Sequence, residues 1–144
     1  MDAHLAGEDE EQARRFGWWP KRSGPEQFRQ MLADEEESWR TGGPRRKFAM
    51  RVAGELAGGV ELRLVRDGLA SISYWTFPQF RRRGLATRAA RLVADWAFSQ
   101  FDLELIELAA EEDNLGSRGV ARGAGFVETG RRNEDGLLTY ERRR

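Results

Sequence analysis

The period of the hydrophobic pattern changes near residue 44 of the chain. Upstream, the spacing predicts a short acidic helix over residues 7–16 and a second helix that starts at Ser23, where Glu26 completes a capping box. Apolar residues keep helical spacing as far as Trp39, and a Gly-Gly-Pro segment follows. The sequence therefore predicts a helical N-terminal segment over residues 1–43.

Downstream of residue 44, alternating apolar and polar residues predict three strands, over residues 47–52, 60–65 and 69–77. Pro78 ends the third strand because it has no N–H to donate to a sheet. Helical spacing returns over 85–100, and a strand over 103–110, a short helix over 114–123 and a hairpin over 126–141 follow. This order predicts an α/β (α+β) fold in which a mixed β-sheet is flanked by helices.

Length and composition limit the classes of protein that fit. The 144 residues suit a single domain, which we expect to span 1–144, with the core over 44–144. The chain has no Cys and one His, His4, so we expect no metal site, no thiol nucleophile and no disulfide scaffold. No apolar run approaches the ~18 residues that span a bilayer. We therefore expect a soluble cytoplasmic protein that does not bind membranes.

Charge points to one part of the chain. The formal net charge is zero, which does not favour a nucleic-acid-binding protein. Residues 44–101 nevertheless hold 11 basic and 4 acidic residues, whereas both flanking segments are net negative. We expect an anionic ligand, if there is one, to bind this middle third.

A basic loop joins the predicted third strand to the helix that begins at Leu85. The first N–H groups of a helix lack intrahelical partners, and the helix dipole adds about half a positive charge there. Gly84 and Ala86 would let a ligand approach the backbone, and Arg81–Arg83 add positive charge. The loop thus fits a pyrophosphate site, although a solvated basic turn that caps a helix fits the spacing equally well.

Two motifs make the chain resemble a known family. The segment from Ser73 to Thr87 contains Arg81-x-x-Gly84-x-Ala86 and resembles the acetyl-CoA signature of the GNAT superfamily of N-acetyltransferases. Farther along, Asn114-x-x-Ser117 and a Gly-Phe pair resemble the second half of that signature. The spacing is most similar to the branch that includes ribosomal-protein N-terminal acetyltransferases. The family usually has a strand before its first helices, which this pattern lacks, so either that strand is missing or it lies upstream. We expect an open sheet edge at Arg46–Val52 or a neighbouring strand, and a homodimer formed there or through the C-terminal hairpin.

The resemblance implies that acetyl-CoA is the co-substrate and implies where it binds. Phe77 would offer backbone groups to the pantetheine, and Asn114 would bond the pantetheine amide or, alternatively, only cap a helix. The phosphates would lie on the loop and the helix start, at Arg81, Arg82, Arg83, Gly84, Leu85, Ala86 and Thr87.

The resemblance also implies direct attack of an amine on the thioester. Ser117 would return a proton to the CoA thiolate, or else serve only as a second cap of its helix. Related enzymes place a Glu where this chain has Ala109, so the base is less defined. Glu61 is our main candidate, and Glu107 and Glu111 flank the Ala109 position; each also fits a solvated strand carboxylate.

The sequence therefore predicts an acetyl-CoA-dependent N-acetyltransferase that acts on a primary amine, either a protein N-terminus or a small molecule. The alternative is a non-catalytic acyl-CoA-binding or protein-interaction module with the same fold, which Ala109 and the missing first strand would favour. Trp18, Trp19 and Trp39 would pack in the core or form a wall of the acceptor site.

Overall fold

The computed structural model describes residues 25–144. Several predicted features lie outside the described residues: the helix over 7–16, the capping Ser23, and the side chains of Trp18, Trp19 and His4. The predicted elements from residue 25 onward are all present. Their bounds are α1 (Pro25–Thr41), β1 (Arg45–Val52), β2 (Glu55–Arg66), β3 (Gly68–Thr76), a 3-10 turn (Pro78–Phe80), α2 (Leu85–Gln100), β4 (Leu103–Ala110), α3 (Leu115–Gly123), β5 (Val127–Arg132) and β6 (Leu138–Arg143).

The six strands form one mixed sheet in the order β1-β2-β3-β4-β6-β5. Within residues 25–144, only the central pair, β3 and β4, is parallel, and α2 is the crossover between them. All other neighbours are antiparallel, as expected of strands joined by hairpins. The mixed α/β architecture predicted from the sequence is confirmed.

The central parallel pair separates partway along its length. Its pairing runs from Gly68 opposite Leu103 only as far as Ser71 opposite Glu107. Beyond that point β3 stays paired with β2 up to Thr76, and β4 stays paired with β6 up to its last residue. The sheet thus splits into two halves, and each half presents an unpaired backbone edge to the gap between them.

The core lies between the sheet and α2. Val60, Leu62 and Ile106 are fully buried in the sheet, and the facing side of α2 is built from small residues. These small side chains let the helix lie close to the strands, and burying each large aliphatic side chain contributes roughly 1.5–3 kcal/mol. The buried alanines of α2 are Ala90, Ala94 and Ala97.

Strand β2 is longer than the sequence pattern predicts, because it continues through two glycines that resemble strand breakers. A Cβ on Gly59 would lie 2.3 Å from the Trp75 ring, and one on Gly58 would lie 2.1 Å from the Trp75 carbonyl oxygen. The glycines are therefore required for close approach, and they let the indole of Trp75 lie against the neighbouring strand.

A buried arginine attaches α1 to the sheet. The guanidinium of Arg46 lies 5.1 Å from the Trp39 ring centroid and 5.9 Å from that of Phe101. Trp39 also packs edge-on against Phe48, so it joins the core while 42% of it stays exposed. Arg46 donates to three carbonyl oxygens near the end of α1, where the helix dipole favours a cation: those of Ser38, Gly43 and Arg45.

Replacing Arg46 with Ala should lower the free energy of unfolding by about 2–4 kcal/mol, because three part-buried carbonyl oxygens lose a charged donor and the buried side chain leaves its contacts with Trp39 and Phe101. Urea denaturation measures the loss. Arg63→Ala, an exposed arginine on β2, is the control and should change stability by less than about 0.5 kcal/mol. Equal stabilities of the two variants would show that Arg46 does not hold α1 on the sheet.

Candidate active site

A cavity of about 1080 Å³ opens where β3 and β4 separate. Its walls come from β3 on one side and β4 on the other, and the starts of α2 and α3 lie at its ends. The tip of the β5–β6 hairpin contributes Asn133 and Leu137. The cavity therefore brings together unpaired strand edges and two helix N-termini, which are separated by some 30 residues in the sequence.

The basic loop forms one end of the cavity. Gly84 caps α2 in the left-handed conformation, at φ 71°, and its carbonyl accepts the first helical hydrogen bond, from the N–H of Arg88. The N–H groups of Leu85, Ala86 and Thr87 precede this first donor, and all three residues line the cavity. A Cβ on Gly84 would meet no protein atom within 4 Å, so the backbone here is accessible to a ligand.

The three arginines of the loop line this end of the cavity together. Arg81 donates from Nε to the Thr76 carbonyl at 3.0 Å, which ties the loop to the end of β3. Arg83 lies over the Phe80 ring at 5.3 Å, whereas Arg82 has a positive φ of 60° and is exposed. The structure thus concentrates positive charge beside the N-terminus of α2, as an anion site requires.

The start of α3 forms the other end of the cavity. Asn114 is the N-cap, and its Oδ1 accepts from the N–H of Ser117 at 3.1 Å. The capping role that the sequence left open is therefore real, and Asn114 also lines the cavity, with its Nδ2 facing no partner among the described residues. Close packing of Gly123 against Thr87 holds α3 beside α2, since a Cβ on Gly123 would lie 2.8 Å from the Thr87 methyl carbon.

Tyr74 connects the two halves of the split sheet. Its hydroxyl lies 2.8 Å from Ser117 Oγ and 2.9 Å from the Ser117 carbonyl oxygen. Burial raises the pKa of Tyr74 to about 12, and the hydrogen bond with Ser117 opposes this rise. The phenol therefore stays protonated at neutral pH and is a permanent hydrogen-bond donor next to Ser117.

The remaining anchor of α3 is a small ionic network. Arg118 donates from Nε to the Tyr140 hydroxyl at 3.1 Å, and that hydroxyl donates to Glu128 at 3.2 Å. Arg122 also contacts Glu128, and its hydrogen bond holds the pKa of that carboxyl below the ordinary value. These contacts attach α3 to β5 and β6.

The two candidate bases lie in different environments. Glu61 does not line the cavity; its carboxylate lies 3.5 Å from the Lys47 ammonium, which is also paired with Glu35 of α1. Glu107 lines the cavity where β3 and β4 separate, and its carboxylate has no hydrogen bond or ion pair within the described part of the chain. Glu111 lines it as well.

Phe77 is the predicted binding residue that the structure keeps out of the cavity. It is fully buried, its N–H donates to the Ala57 carbonyl at 2.9 Å, and its carbonyl accepts from Phe80. The backbone that faces the gap belongs instead to residues 72–76, directly before it.

Tyr74 and Trp75 are among the cavity residues that the sequence analysis did not single out as site residues. The Gly-Gly pair on β2 was a usable signal for Trp75, because a large ring on the adjacent strand needs such a gap. Nothing local marks Tyr74, since its partner Ser117 is 43 residues away. Among residues 25–144, no group of three or more His, Asp or Glu side chains is arranged to hold a metal ion, and no helix is long and apolar enough to cross a membrane.

Comparison with known proteins identifies the family in which this split strand pair and basic helix N-terminus occur. Residues 2–127 match the family model of the acetyltransferase (GNAT) domain. The chain belongs to the GNAT acetyltransferase family, and the predictions of family and fold are confirmed.

Two individual relatives match part of this chain. The chain is 35% identical over 68 residues to the predicted ribosomal N-acetyltransferase YdaF of Bacillus subtilis, covering 47% of this chain and 37% of that protein. It is 32% identical over 87 residues to spermidine N(1)-acetyltransferase of Escherichia coli, covering 59% of this chain and 47% of that protein. The matches thus span less than half of each relative.

Solved structures share the fold at low sequence identity. A probable acetyltransferase superposes with a TM-score of 0.85 at 22% identity, covering 99% of this chain and 88% of that one. RimL, a ribosomal L7/L12 α-N-protein acetyltransferase in complex with coenzyme A, superposes with a TM-score of 0.74 at 18% identity, covering 84% and 73%.

Proposed function

We propose that this protein transfers the acetyl group of acetyl-CoA to a primary amine. The observation that carries the proposal is the shape of the cavity, which runs from the free backbone edge of β3 to the N-terminus of α2. A long ligand with an amide-bearing arm and a pyrophosphate fits these two features in that order. The RimL structure holds coenzyme A in the same fold, which supports the assignment.

The pyrophosphate binds at the N-terminus of α2. Residues 84–87 line the cavity at the helix start, where N–H groups lack intrahelical acceptors, and Arg81, Arg82 and Arg83 supply positive charge around them. The bound group is thus held chiefly by backbone donors, which requires close approach at Gly84, where no side chain intervenes.

The pantetheine arm lies in the gap between β3 and β4. Its amides pair with the backbone of residues 72–76, which β4 leaves unpaired, so the arm takes the place of a missing strand. Asn114 contributes its Nδ2 to one amide oxygen while its Oδ1 continues to cap α3. The thioester then lies near Ser117.

The reaction forms a C–N bond and breaks the C–S bond of the thioester. A neutral amine attacks the carbonyl carbon, its proton goes to a base, and the leaving thiolate receives a proton or a hydrogen bond from Ser117. No covalent enzyme intermediate is needed, because the nucleophile is the acceptor itself.

Glu107 is the better-placed group to take the amine proton. It lines the cavity at the point of strand separation and lies on the same face of β4 as Ala109, two residues away. Glu61, the main candidate from the sequence, is paired with Lys47 outside the cavity lining.

The acceptor is a primary amine, for which the relatives' names offer two forms: a ribosomal protein or spermidine.

Replacing Gly84 with Ala should weaken acetyl-CoA binding by about tenfold or more, since the new methyl group occupies the approach to the backbone. Isothermal titration calorimetry measures the affinity. Gly42→Ala is a matched control, because Gly42 has φ 72°, open space around its Cβ and no position in the cavity. Equal affinities of the two variants would contradict the pyrophosphate site.

Replacing Glu107 with Gln should lower kcat by about 10²-fold, because the amide cannot accept the ammonium proton. Acetyl-CoA affinity should stay unchanged. Glu61→Gln is the paired variant and should reduce kcat only a few-fold through the loss of its contact with Lys47. The opposite ranking, with Glu61→Gln the more damaging substitution, would restore Glu61 as the base.

Turnover separates this proposal from the alternative of a non-catalytic module. Release of free CoA is measured with N-terminal peptides of ribosomal proteins and with polyamines as acceptors. Acceptor-dependent release supports the transferase, whereas tight acetyl-CoA binding with no release for any amine favours the acyl-CoA-binding module.

Self-association through β1 is also proposed. Within the described residues β1 is an edge strand, and it alternates the buried Met50 with the exposed Ala49 and Arg51. An open edge pairs readily with a second copy around a two-fold axis. Sedimentation velocity at micromolar concentration should show a dimer, and a monomer at every concentration would contradict the pairing.

A further inference from the structure

The orientation of the Ser117 hydroxyl is the detail of the site that the proposed reaction leaves undetermined. To stabilise a thiolate, its hydrogen has to point into the cavity. The only side chain that the structure places against this hydroxyl, among the described residues, is Tyr74, at 2.8 Å from Oγ. The direction of the serine hydrogen therefore depends on which atom accepts the phenol hydrogen.

The phenol has one hydrogen and two acceptors within reach. In one arrangement it donates to the Ser117 carbonyl at 2.9 Å, and the serine then donates to the phenol oxygen, away from a ligand. In the other, the phenol donates to Ser117 Oγ, and the serine hydrogen is free to turn toward the cavity. The second arrangement costs little, because the N–H of Ala121 in the same helix already bonds the Ser117 carbonyl.

We propose that Tyr74 is a positioning residue: its phenol donates to Ser117 Oγ, directs the serine hydrogen to the CoA sulfur, and so stabilises the thiolate through the serine. This inference rests on the proposed function. No bond to hydrogen breaks at Tyr74, because the phenol remains a neutral donor throughout. The serine becomes a stronger donor when its own oxygen accepts a hydrogen bond.

Three observations support this role. Burial raises the pKa of Tyr74 to about 12, so the phenol remains a donor over the whole range in which a transferase works. Tyr74 lies on β3, where the backbone faces the gap, and Ser117 lies in the first turn of α3 on the other side. Asn114 accepts from the Ser117 N–H and so fixes the backbone that carries the hydroxyl, while Tyr74 contacts the hydroxyl itself.

The test is a double-mutant cycle with Tyr74→Phe, Ser117→Ala and the double variant. The first readout is the pKa of the CoA thiol in the enzyme–CoA complex, followed by the ultraviolet absorbance of the thiolate, which needs no acceptor. Tyr74→Phe should raise this pKa by about 0.5–1 unit, and Ser117→Ala should raise it further. The double variant should equal Ser117→Ala, because Tyr74 acts only through the serine.

Turnover provides the second readout. Tyr74→Phe should lower kcat about 3- to 10-fold with unchanged acetyl-CoA affinity, and it should have no effect in the Ser117→Ala background. Tyr140→Phe is the matched control, since it removes a tyrosine hydroxyl that anchors α3 without contacting Ser117. It should lower Tm and leave the thiol pKa unchanged.

Additive effects of Tyr74→Phe and Ser117→Ala on the thiol pKa would overturn the positioning role, as would an unchanged pKa in Tyr74→Phe. The failure of the proposed function has a different signature. Suppose that the two substitutions are non-additive in the thiol pKa but the protein acetylates no amine. That result would support the contact between Tyr74 and Ser117 and would contradict only the proposed transferase activity.

Discussion

The separation of β3 and β4 is the constraint on which the site depends. Two parallel strands that stayed paired to their ends would leave no cavity and no free backbone donors. They separate after Ser71 and Glu107 because each strand remains fully paired with its outer neighbour, so the two halves of the sheet diverge as units. The unpaired N–H and C=O groups must bond something, and an amide-bearing ligand is the partner that the geometry fits.

Side chains and helices keep the gap open at a defined width. The Tyr74 hydroxyl reaches from β3 to Ser117 on α3, and α3 is attached to the opposite half through Arg118, Tyr140 and Glu128. At the other end, Gly123 lets α3 approach Thr87 of α2. The helix N-termini and the strand edge are therefore parts of one arrangement, and Tyr74 belongs both to its support and to its proposed chemistry.

Electrostatics divide the cavity in a way that the zero net charge of the chain conceals. The basic loop and the α2 N-terminus attract an anion, whereas Glu107 lies where the strands separate and attracts a cation. An acetyl donor with phosphates and an acceptor that arrives as an ammonium would thus be drawn to different parts of one site. Lys47 pairs with both Glu61 and Glu35, and none of these three residues lines the cavity.

Local sequence rules predicted most of the fold. Periodicity located α2 and β4 to the residue, and Gly84 and Asn114 marked the helix starts that later lined the cavity. Two kinds of feature escaped prediction for physical reasons. The length of β2 depends on a ring from the next strand lying over Gly59, and the contact between Tyr74 and Ser117 depends on tertiary packing. Contact of Phe77 with the ligand stays a prediction; in the structure its N–H donates to the Ala57 carbonyl and the residue does not line the cavity.

Amide hydrogen exchange in the presence and absence of coenzyme A tests the central claim most directly, because it reports on the backbone groups themselves. The account predicts that the ligand slows exchange in residues 72–76, at the free edge of β3, and in residues 84–87, at the start of α2. The outer strands β1 and β5 should exchange as before. Protection confined to other segments, or uniform across the sheet, would contradict a ligand that replaces the missing strand pairing between β3 and β4.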